Sequence, residues 1–363
     1  MRQPYPTGLP YPPSVPGTRS HLVTGGAGFI GCNLADRLLS QGEQVTLLDD
    51  LSRPGAERNL AWLLERHASA VHHLKIDIRD PAAVAGALGE ADIVYHLAGQ
   101  TAVTTSIGDP RADFDANALG TLNVLEAARA SARDPIVLHA STNKVYGDLD
   151  GLDVVEEETR YAFRDLVRGV TEEQPLDFNS PYACSKGAAD QYALAYHHIF
   201  GLRAVVFRQS CIYGPRQLGH EEQGWLAWFV RAALGGGPVT IFGNGKQVRD
   251  LLHVADLLRA YEQAVAAIDR TAGGAYNIGG GLELSVSVWA ELGPLLEELL
   301  GERITARFAD WRPGDQRVFV CDATAAERDF GWRPAIGVRE GVRELVEWTR
   351  SEVAHEAPPA ASG

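Results

Sequence analysis

The chain has 363 residues, of which 45% are hydrophobic and 22% charged, and its formal net charge is −14 at pH 7. This composition is typical of a globular protein with one large core or two unequal ones, and the negative charge argues against a nucleic-acid binder. The four cysteines are too scattered for a disulfide framework or a metal site, and no apolar run could span a membrane. We therefore expect a cytoplasmic protein with no metal and no membrane contact.

The two ends of the chain differ in composition from the rest. Residues 1–19 are rich in proline and lack periodicity, and residues 351–363 are similar. Such segments do not carry enough regular apolar surface to pack into a core. We interpret both as flexible arms.

The first predicted element is a strand that enters a glycine-rich turn, in the stretch HLVTGGAGFIGCNLADRLLSQGEQVTLLDD. Gly25, Gly28 and Gly31 allow a tight turn and let the diphosphate of a dinucleotide approach the N-terminus of the following helix. Asp49 ends the second strand, where a carboxylate hydrogen-bonds ribose hydroxyls and repels a 2′-phosphate, so NAD is favoured over NADP. Arg53 leaves NADP open. Three more residues are predicted to contact the cofactor here: Phe29, Ile30 and Asp50.

Further strands alternate with helices along the next part of the chain. The stretch HHLKIDIRD gives a third strand that places Asp77 and Ile78 at the adenine, and ADIVYHLAGQ gives a fourth. The alternation predicts an α/β fold with a Rossmann-type, doubly wound parallel sheet, whose ligands bind beyond the C-terminal ends of the strands. Other residues predicted at the cofactor are Leu97, Ala98, Gly99, Asn117 and Ser141.

A tyrosine and a lysine follow in the stretch SPYACSKGAADQY. Tyr182 and Lys186 are four residues apart, so they share one face of the predicted helix. A neighbouring ammonium and a nicotinamide cation would lower the pKa of the phenol, which could then act as a base. Thr142, at the end of an earlier strand, would hydrogen-bond the same substrate oxygen. The pattern predicts Thr142, Tyr182 and Lys186 as catalytic residues, with Tyr182 and Lys186 also contacting NAD.

The motifs TGGAGFIG, DDLS, HLAG, STNKVYG, YACSK, VRDLLHVAD and RPGDQ resemble those of the extended short-chain dehydrogenase/reductase family, which includes nucleotide-sugar epimerases and dehydratases. The resemblance covers roughly residues 20 to 350. It implies that Thr142, Tyr182 and Lys186 carry catalysis, that Arg249 and Arg312 bind a diphosphate, and that Asp315 supports the sugar. We also predict Asn143 and Gln209 as substrate-binding residues.

Two residues depart from the dehydratase pattern of this family. In its 4,6-dehydratases the catalytic threonine precedes an aspartate and a glutamate that move the protons for loss of water. Asn143 and Lys144 occupy these positions here. An amide cannot act as the acid and an ammonium is a poor replacement for the base. The sequence therefore predicts an epimerase or a simple oxidoreductase.

Longer stretches, such as STNKVYGDLD, SPYACSKGAADQY and NGKQVRDLLH, resemble the subgroup that epimerises C2 of CDP-linked 3,6-dideoxyhexoses. The resemblance implies NAD as cofactor and a nucleoside-diphosphate sugar as ligand, with a CDP-sugar favoured. Another epimerase, for instance at C4, a ketoreductase and a non-catalytic NAD-binding protein remain as alternatives. A homodimer or homotetramer is expected from Ala-rich helix faces around Asn117–Ala130 and Tyr182–Phe200.

The sequence predicts two functional regions. Residues 20–200, with 201–213 and 246–280 returning to them, would form the NAD-binding domain. Residues 214–245 and 281–350 would form a smaller, mixed α/β region for the nucleotide sugar. Four arginines are expected in loops, where they would offset the negative net charge around a diphosphate: Arg208, Arg216, Arg249 and Arg312.

Overall fold

The computed structural model describes residues 18–220, 223–312 and 315–356. The predicted N-terminal arm therefore lies almost wholly outside the described residues. The strands are β1 Ser20–Thr24, β2 Gln44–Leu48, β3 Val71–Leu74, β4 Ile93–His96, β5 Ile136–Thr142, β6 Val154–Glu156, β7 Tyr161–Phe163, β8 Ala204–Gln209, β9 Cys211–Tyr213, β10 Val239–Phe242, β11 Val248–His253, β12 Ala275–Ile278, β13 Ser285–Ser287, β14 Ala306–Ala309 and β15 Val318–Phe319.

The α-helices lie between these strands. They are α1 Phe29–Ser40, α2 Ala56–His67, α3 Pro81–Leu88, α4 Val103–Gly108, α5 Pro110–Phe114, α6 Gly120–Ala130, α7 Pro181–Phe200, α8 Trp225–Leu234, α9 Val254–Ala266, α10 Ile268–Thr271, α11 Leu292–Leu300, α12 Thr324–Phe330 and α13 Val338–Glu356. Short 3-10 turns include Asn143–Tyr146, directly after β5.

A seven-stranded parallel sheet in the order β12-β8-β5-β4-β1-β2-β3 forms the centre of the molecule. The sequence-based prediction of a doubly wound parallel sheet is confirmed. Strand order reverses between β1 and β4, so a crevice opens at the C-terminal ends of these two strands, where ligands bind in such sheets.

Both faces of this sheet are covered, because successive side chains of a strand point to opposite sides. On β5, Leu138 packs into the core with α1 and α9, whereas Val137 packs into the core with α3, α6 and α7. Phe330 and Trp332 also enter the first of these cores. The stretch around α12 therefore packs against the large sheet, although it lies within the range predicted for the sugar-binding region.

A second, smaller sheet lies beyond the crevice. Strand β11 pairs with β13, β15 and β9, and the strands β10 and β14 pair separately. A core of its own holds α8, α11 and α13 against these strands. The strands β9 and β11 thus join the small sheet, while α9 and β12 return to the large one. The functional division into two regions stays a prediction.

The predicted helix ANALGTLNVLEAARAS is interrupted near its start. Residues Asp115–Leu119 form a π-turn, and α6 begins only at Gly120. A π-turn is an insertion into a helix that is often found at functional sites, because it turns side chains out of the regular register. Here it reorients Asn117 towards the neighbouring helix α7.

The C-terminal helix α13 extends through Glu356, so residues 351–356 of the predicted tail are helical. Within the described ranges no helix combines the length and apolar content needed to cross a membrane.

Candidate active site

One cavity of about 980 Å³ lies at the C-terminal edge of the large sheet and continues towards the small one. Its volume is at the upper end for a small-molecule site, as a dinucleotide and a second ligand together would require. Five strands contribute their ends to it, through Gly25, Asp49, Leu97, Thr142 and Gln209. The residues predicted at the cofactor or the substrate line this cavity, except Asn117 and two of the four arginines expected around the diphosphate, Arg208 and Arg216.

The glycine turn has no room for side chains. Gly25 has a φ of +68°, and a Cβ atom on Gly31 would lie 2.2 Å from the carbonyl oxygen of Gly25. Gly28 caps α1, and its carbonyl oxygen accepts from the amide of Cys32. The turn therefore presents bare backbone and the N-terminus of α1 to the cavity, as a dinucleotide diphosphate requires.

Asp49 is buried between this turn and the cavity. Its Oδ2 atom accepts from the amide of Ala27 at 3.0 Å, and its Oδ1 atom accepts from that of Leu51 at 2.9 Å. Burial raises the pKa of Asp49, while the two amides lower it. Asp50 is turned instead towards Ser52, which donates to it from both its amide and its hydroxyl.

The adenosine end of the cavity is closed by Asp77 and Ile78. Asp77 forms an ion pair with Arg79 at 2.5 Å, and Ile78 packs against the place where Gly120 lacks a side chain. Bare glycine backbone, a helix N-terminus and a carboxylate at the end of the second strand fit NAD along this wall. NAD held along this wall would supply hydride transfer.

The three predicted catalytic side chains meet at the middle of the cavity. Thr142 is the last residue of β5, and its hydroxyl hydrogen-bonds Tyr182. Tyr182 is in the first turn of α7, which Ser180 caps by accepting from the amide of Ala183 at 3.1 Å. Lys186, one turn later, donates from Nζ to the carbonyl oxygen of Ala140 at 2.5 Å. The cap of α7 and the end of β5 thus fix the positions of Thr142, Tyr182 and Lys186.

Burial dominates the protonation of this pair. Burial raises the pKa of Tyr182 to about 12, and the charge of Asp113 acts in the same direction. The hydrogen bond with Thr142 and the charge of Arg53 lower this pKa. Burial lowers the pKa of Lys186 to about 8. The expected lowering of the tyrosine pKa by Lys186 is not seen here: the charges that act on Tyr182 are those of Asp113 and Arg53, and the ammonium of Lys186 donates to the carbonyl oxygen of Ala140. The lowering expected from a nicotinamide cation stays a prediction.

The substrate half of the cavity holds a cluster of charges. Arg249 donates to Asp315 at 2.6 Å, and the guanidinium of Arg312 lies 3.7 Å from the centre of the Phe242 ring. Lys144 donates to Gln316 at 3.3 Å, and burial lowers its pKa to about 8. Asn143 and Gln209 line the same half, and the amide of Gln209 donates to Tyr261 at 2.6 Å.

Two of the four arginines expected around a diphosphate lie elsewhere, so that part of the prediction is wrong. Arg208 is on β8 rather than in a loop, and it is buried in a two-pronged ion pair with Asp190, 3.0 Å for each bond. Arg216 lies over the rings of Trp62 and Trp348. Neither lines the cavity.

Two predicted cofactor residues have hydrogen bonds that point away from the cavity. Ser141 donates to Asp190 at 2.8 Å. Asn117 is buried behind Gly99 and donates to Asp113 and Ser185, both at 3.1 Å. Asn117 is thus placed to organise the wall of the site, and direct contact with NAD does not follow from its position.

Several residues that line the cavity were not predicted as site residues, and three of them are charged groups on which the chemistry below depends. Asp113, Lys144 and Arg53 line the cavity, and all three carry charge into it. The sequence showed that Lys144 stands where a dehydratase has a glutamate. It did not show that the side chain of Lys144 points into the cavity. Arg53 was considered only for the choice between NAD and NADP, and Asp113 gave no local signal.

Comparison with known proteins agrees with this geometry. The model of the NAD dependent epimerase/dehydratase family matches residues 21–279. The CDP-paratose 2-epimerase of Salmonella typhi is 45% identical over 91% of this chain and 99% of that protein, and the UDP-glucose 4-epimerase of Mycolicibacterium smegmatis is 35% identical over 91% and 98%. The crystal structure of dTDP-glucose 4,6-dehydratase from Streptomyces venezuelae with NAD bound superposes with a TM-score of 0.80 and 31% identity, covering 93% of this chain and 98% of that one.

Proposed function

The chain belongs to the NAD dependent epimerase/dehydratase family and is an NAD-dependent enzyme, and on that premise we propose that it epimerises a CDP-linked 3,6-dideoxyhexose at C2. The reaction is a transient oxidation of the C2 hydroxyl to a ketone, followed by reduction on the opposite face. The roles of individual residues below are part of this proposal.

One observation carries the proposal for the type of reaction. A phenol, an ammonium and a hydroxyl line the same cavity, whereas an amide and a second ammonium, Asn143 and Lys144, occupy the positions next to Thr142. Removal of water from a sugar needs an acid and a base besides the hydride acceptor. The amide of Asn143 does not titrate and so cannot serve as the acid, which leaves Lys144, whose pKa burial lowers to about 8, without the acid partner that elimination needs. The site therefore supports oxidation and reduction without elimination.

Tyr182 moves the hydroxyl proton in both half-reactions. In the first, its phenolate takes the proton from the C2 hydroxyl as the C2–H bond breaks and the C=O bond forms. Thr142 donates a hydrogen bond to the same oxygen, and Lys186 stabilises the phenolate by its charge. In the second half-reaction, Tyr182 returns the proton to the oxygen while hydride is added to the other face of C2.

The sugar has to turn between the two half-reactions while the nucleotide stays bound. Arg249 and Arg312 are on different elements of the substrate half, on β11 and in the loop after β14, and both face the cavity. Two guanidinium groups can hold a diphosphate by paired hydrogen bonds. Asp315, which accepts from Arg249, keeps that guanidinium oriented. The tethered ketone then reacts again in the same site without being released.

The position C2 and the nucleotide CDP are supported by the relative in Salmonella typhi, which is 45% identical to this chain along nearly its whole length. In a 3,6-dideoxyhexose, neither neighbour of C2 is a carbonyl carbon. The C2 proton is therefore not acidic, and direct deprotonation is blocked. Oxidation at C2 is the accessible route to inversion.

The proposal is tested with a CDP-3,6-dideoxyhexose that carries deuterium at C2, in ordinary water, with NMR and mass spectrometry of the product. We expect inversion at C2 with deuterium retained there and no solvent hydrogen incorporated. Loss of deuterium to water would contradict the hydride route. A separate incubation with a nucleotide hexose that keeps its C6 hydroxyl and carries deuterium at C4 tests the dehydratase alternative, since transfer of that deuterium to C6 with loss of water would identify a dehydratase.

A parallel panel of CDP-, UDP-, GDP- and dTDP-sugars determines the base and the carbon. Inversion at C4 in a UDP-sugar would replace the proposal with the activity named for the Mycolicibacterium smegmatis relative. Turnover that needs added NADH or NADPH in stoichiometric amounts would indicate a ketoreductase, because an epimerase regenerates its own cofactor.

A further inference from the structure

Asp113 is a buried carboxylate that lines the cavity but has no part in the proposed chemistry. Three neutral side chains donate to it: Ser185 at 2.5 Å, Gln100 at 3.0 Å and Asn117 at 3.1 Å. A carboxylic acid would itself carry a proton to donate, whereas an ionised carboxylate only accepts. Burial raises the pKa of Asp113, while the bond from Ser185, the charge of Lys186 and the bonds from Gln100 and Asn117 lower it. The three converging donors therefore favour the ionised form against the effect of burial.

The three donors to Asp113 lie on three segments: the catalytic helix α7 itself and two segments next to it. Gln100 is in the loop after β4, Asn117 is in the π-turn, and Ser185 is on α7 next to Lys186. The amide of Asn117 donates to both Asp113 and Ser185, and the Ser185 hydroxyl also lies 3.1 Å from the carbonyl oxygen of Tyr182. This network holds the charge of Asp113 in a fixed place beside the first turn of α7.

A second carboxylate near Lys186 differs from Asp113 in one respect. Asp190, also on α7, is paired through two bonds with Arg208, so its charge is balanced by a guanidinium. Every hydrogen bond to Asp113 within the described ranges comes from a neutral donor. The unit negative charge of Asp113 is therefore left to act on the two catalytic groups next to it, in surroundings that screen it less than water does.

We propose that Asp113 is a positioning residue whose fixed negative charge keeps Lys186 protonated and so sets the pH range in which Tyr182 exchanges the substrate proton.

The electrostatics around the pair agree with this role. Burial lowers the pKa of Lys186 to about 8, and the charges of Asp190 and then Asp113 oppose that effect. The imidazoles of His96 and His139 also face Lys186, but burial lowers both of their pKa values, that of His96 to about 3, so they are neutral. Around Tyr182, Asp113 acts against the charge of Arg53. Removal of the Asp113 charge should therefore lower the pKa of both Lys186 and Tyr182.

The test is a direct titration of Lys186 in the full-length protein. The chain has four lysines, Lys75, Lys144, Lys186 and Lys246, so the Cε resonances of protein labelled with ¹³C-lysine can be assigned with single Lys→Arg variants. In Asp113→Asn, which keeps the shape of the side chain, we expect the midpoint of Lys186 to fall by about one pH unit. Lys144 is an internal control, since the charges that act on it do not include Asp113.

A matched variant separates the charge from the hydrogen bonds. Ser185→Ala removes a donor to Asp113 but leaves its charge, so the Lys186 midpoint should not fall as it does in Asp113→Asn. An unchanged midpoint in folded Asp113→Asn, or an equal movement of Lys144, would overturn the proposal. Asp113→Ser repeats the measurement if Asp113→Asn does not fold, and loss of folding in both would assign Asp113 a purely structural role.

The consequence for catalysis rests on the proposed function and is measured separately. Both limbs of the pH–rate profile of Asp113→Asn should move to lower pH, because Tyr182 and Lys186 each lose the same neighbouring charge. Absence of epimerisation with every nucleotide sugar would refute the proposed function, while the lysine titration would still decide the role of Asp113.

Discussion

At the scale of single residues, the site depends on groups whose chemistry is changed by burial. Tyr182 and Lys186 are each only 7% exposed, and burial favours the neutral form of both. A phenol with a pKa near 12 cannot be a base at neutral pH without nearby positive charge. The protonation of Tyr182 therefore depends on the charged residues around it, which are Lys186, Arg53 and Asp113.

The replacement Tyr182→Phe tests the acid–base role. It removes only the hydroxyl, so we expect folding and NAD binding to persist while turnover falls by about 100-fold or more. Tyr192→Phe, on the exposed face of the same helix, should keep wild-type turnover. The measurement is kcat at neutral pH, together with the NAD content of the purified proteins. A rate near that of the wild type in Tyr182→Phe would remove Tyr182 from the mechanism.

At the scale of elements, the catalytic helix α7 owes its position to its first turn. Ser180 caps the helix, and Pro181 follows at a position where its missing amide proton costs no hydrogen bond. The hydroxyl of Ser106 accepts from the amide of Tyr182 at 3.1 Å, which ties α4 to the same turn. These local bonds fix where the phenol enters the cavity.

Loss of the cap should therefore affect both stability and rate. We expect Ser180→Ala to lower the free energy of unfolding by about 1 kcal/mol, measured by urea denaturation, and to lower kcat because the first turn of α7 frays. Ser180→Asp should retain both, since a carboxylate also caps. Asp80→Ala at the cap of α3, a helix without predicted catalytic residues, should lose similar stability and keep its rate. Equal rates in both alanine variants would show that the cap does not position Tyr182.

At the scale of the whole molecule, part of the surface is unusually apolar. Ile199 and Phe200 at the end of α7 are 65% and 52% exposed, and Tyr192 on the same helix is 48% exposed. Tyr192 and Ile199 are seven residues apart and so share a face. A long helix with an exposed apolar face is suited to pairing across a two-fold axis, so we continue to expect a homodimer or homotetramer.

Light scattering at micromolar concentration tests this expectation. The wild-type protein should have at least twice the mass of one chain, which is 39.2 kDa. Ile199→Glu should shift the protein towards the monomer, because it places a charge within the apolar contact. Val167→Glu, at an exposed position outside these helices, should not. A monomeric wild type would contradict the prediction.

The sequence by itself determined those features in which the interacting residues are close along the chain. The glycine turn, the carboxylate after the second strand, the Tyr182–Lys186 spacing and the alternation of strands and helices depend on local geometry, and the structure brings them together at one crevice. Strands that end in the same direction meet at one edge of a parallel sheet, so most of the predicted site residues do line the cavity.

Only the tertiary structure decided which charged side chains are paired with an opposite charge and which act on the catalytic residues. Arg208 was expected at the diphosphate, but it pairs with Asp190, a residue with which no local pattern connects it. Asp113 lies 72 residues before Ser185, and another of its donors, Asn117, is in a π-turn that interrupts a helix predicted to be regular. Periodicity and motifs specify which face of an element is buried. The pairing and desolvation of a charge depend on what the rest of the chain places against that face, and this determines the protonation of Tyr182 and Lys186.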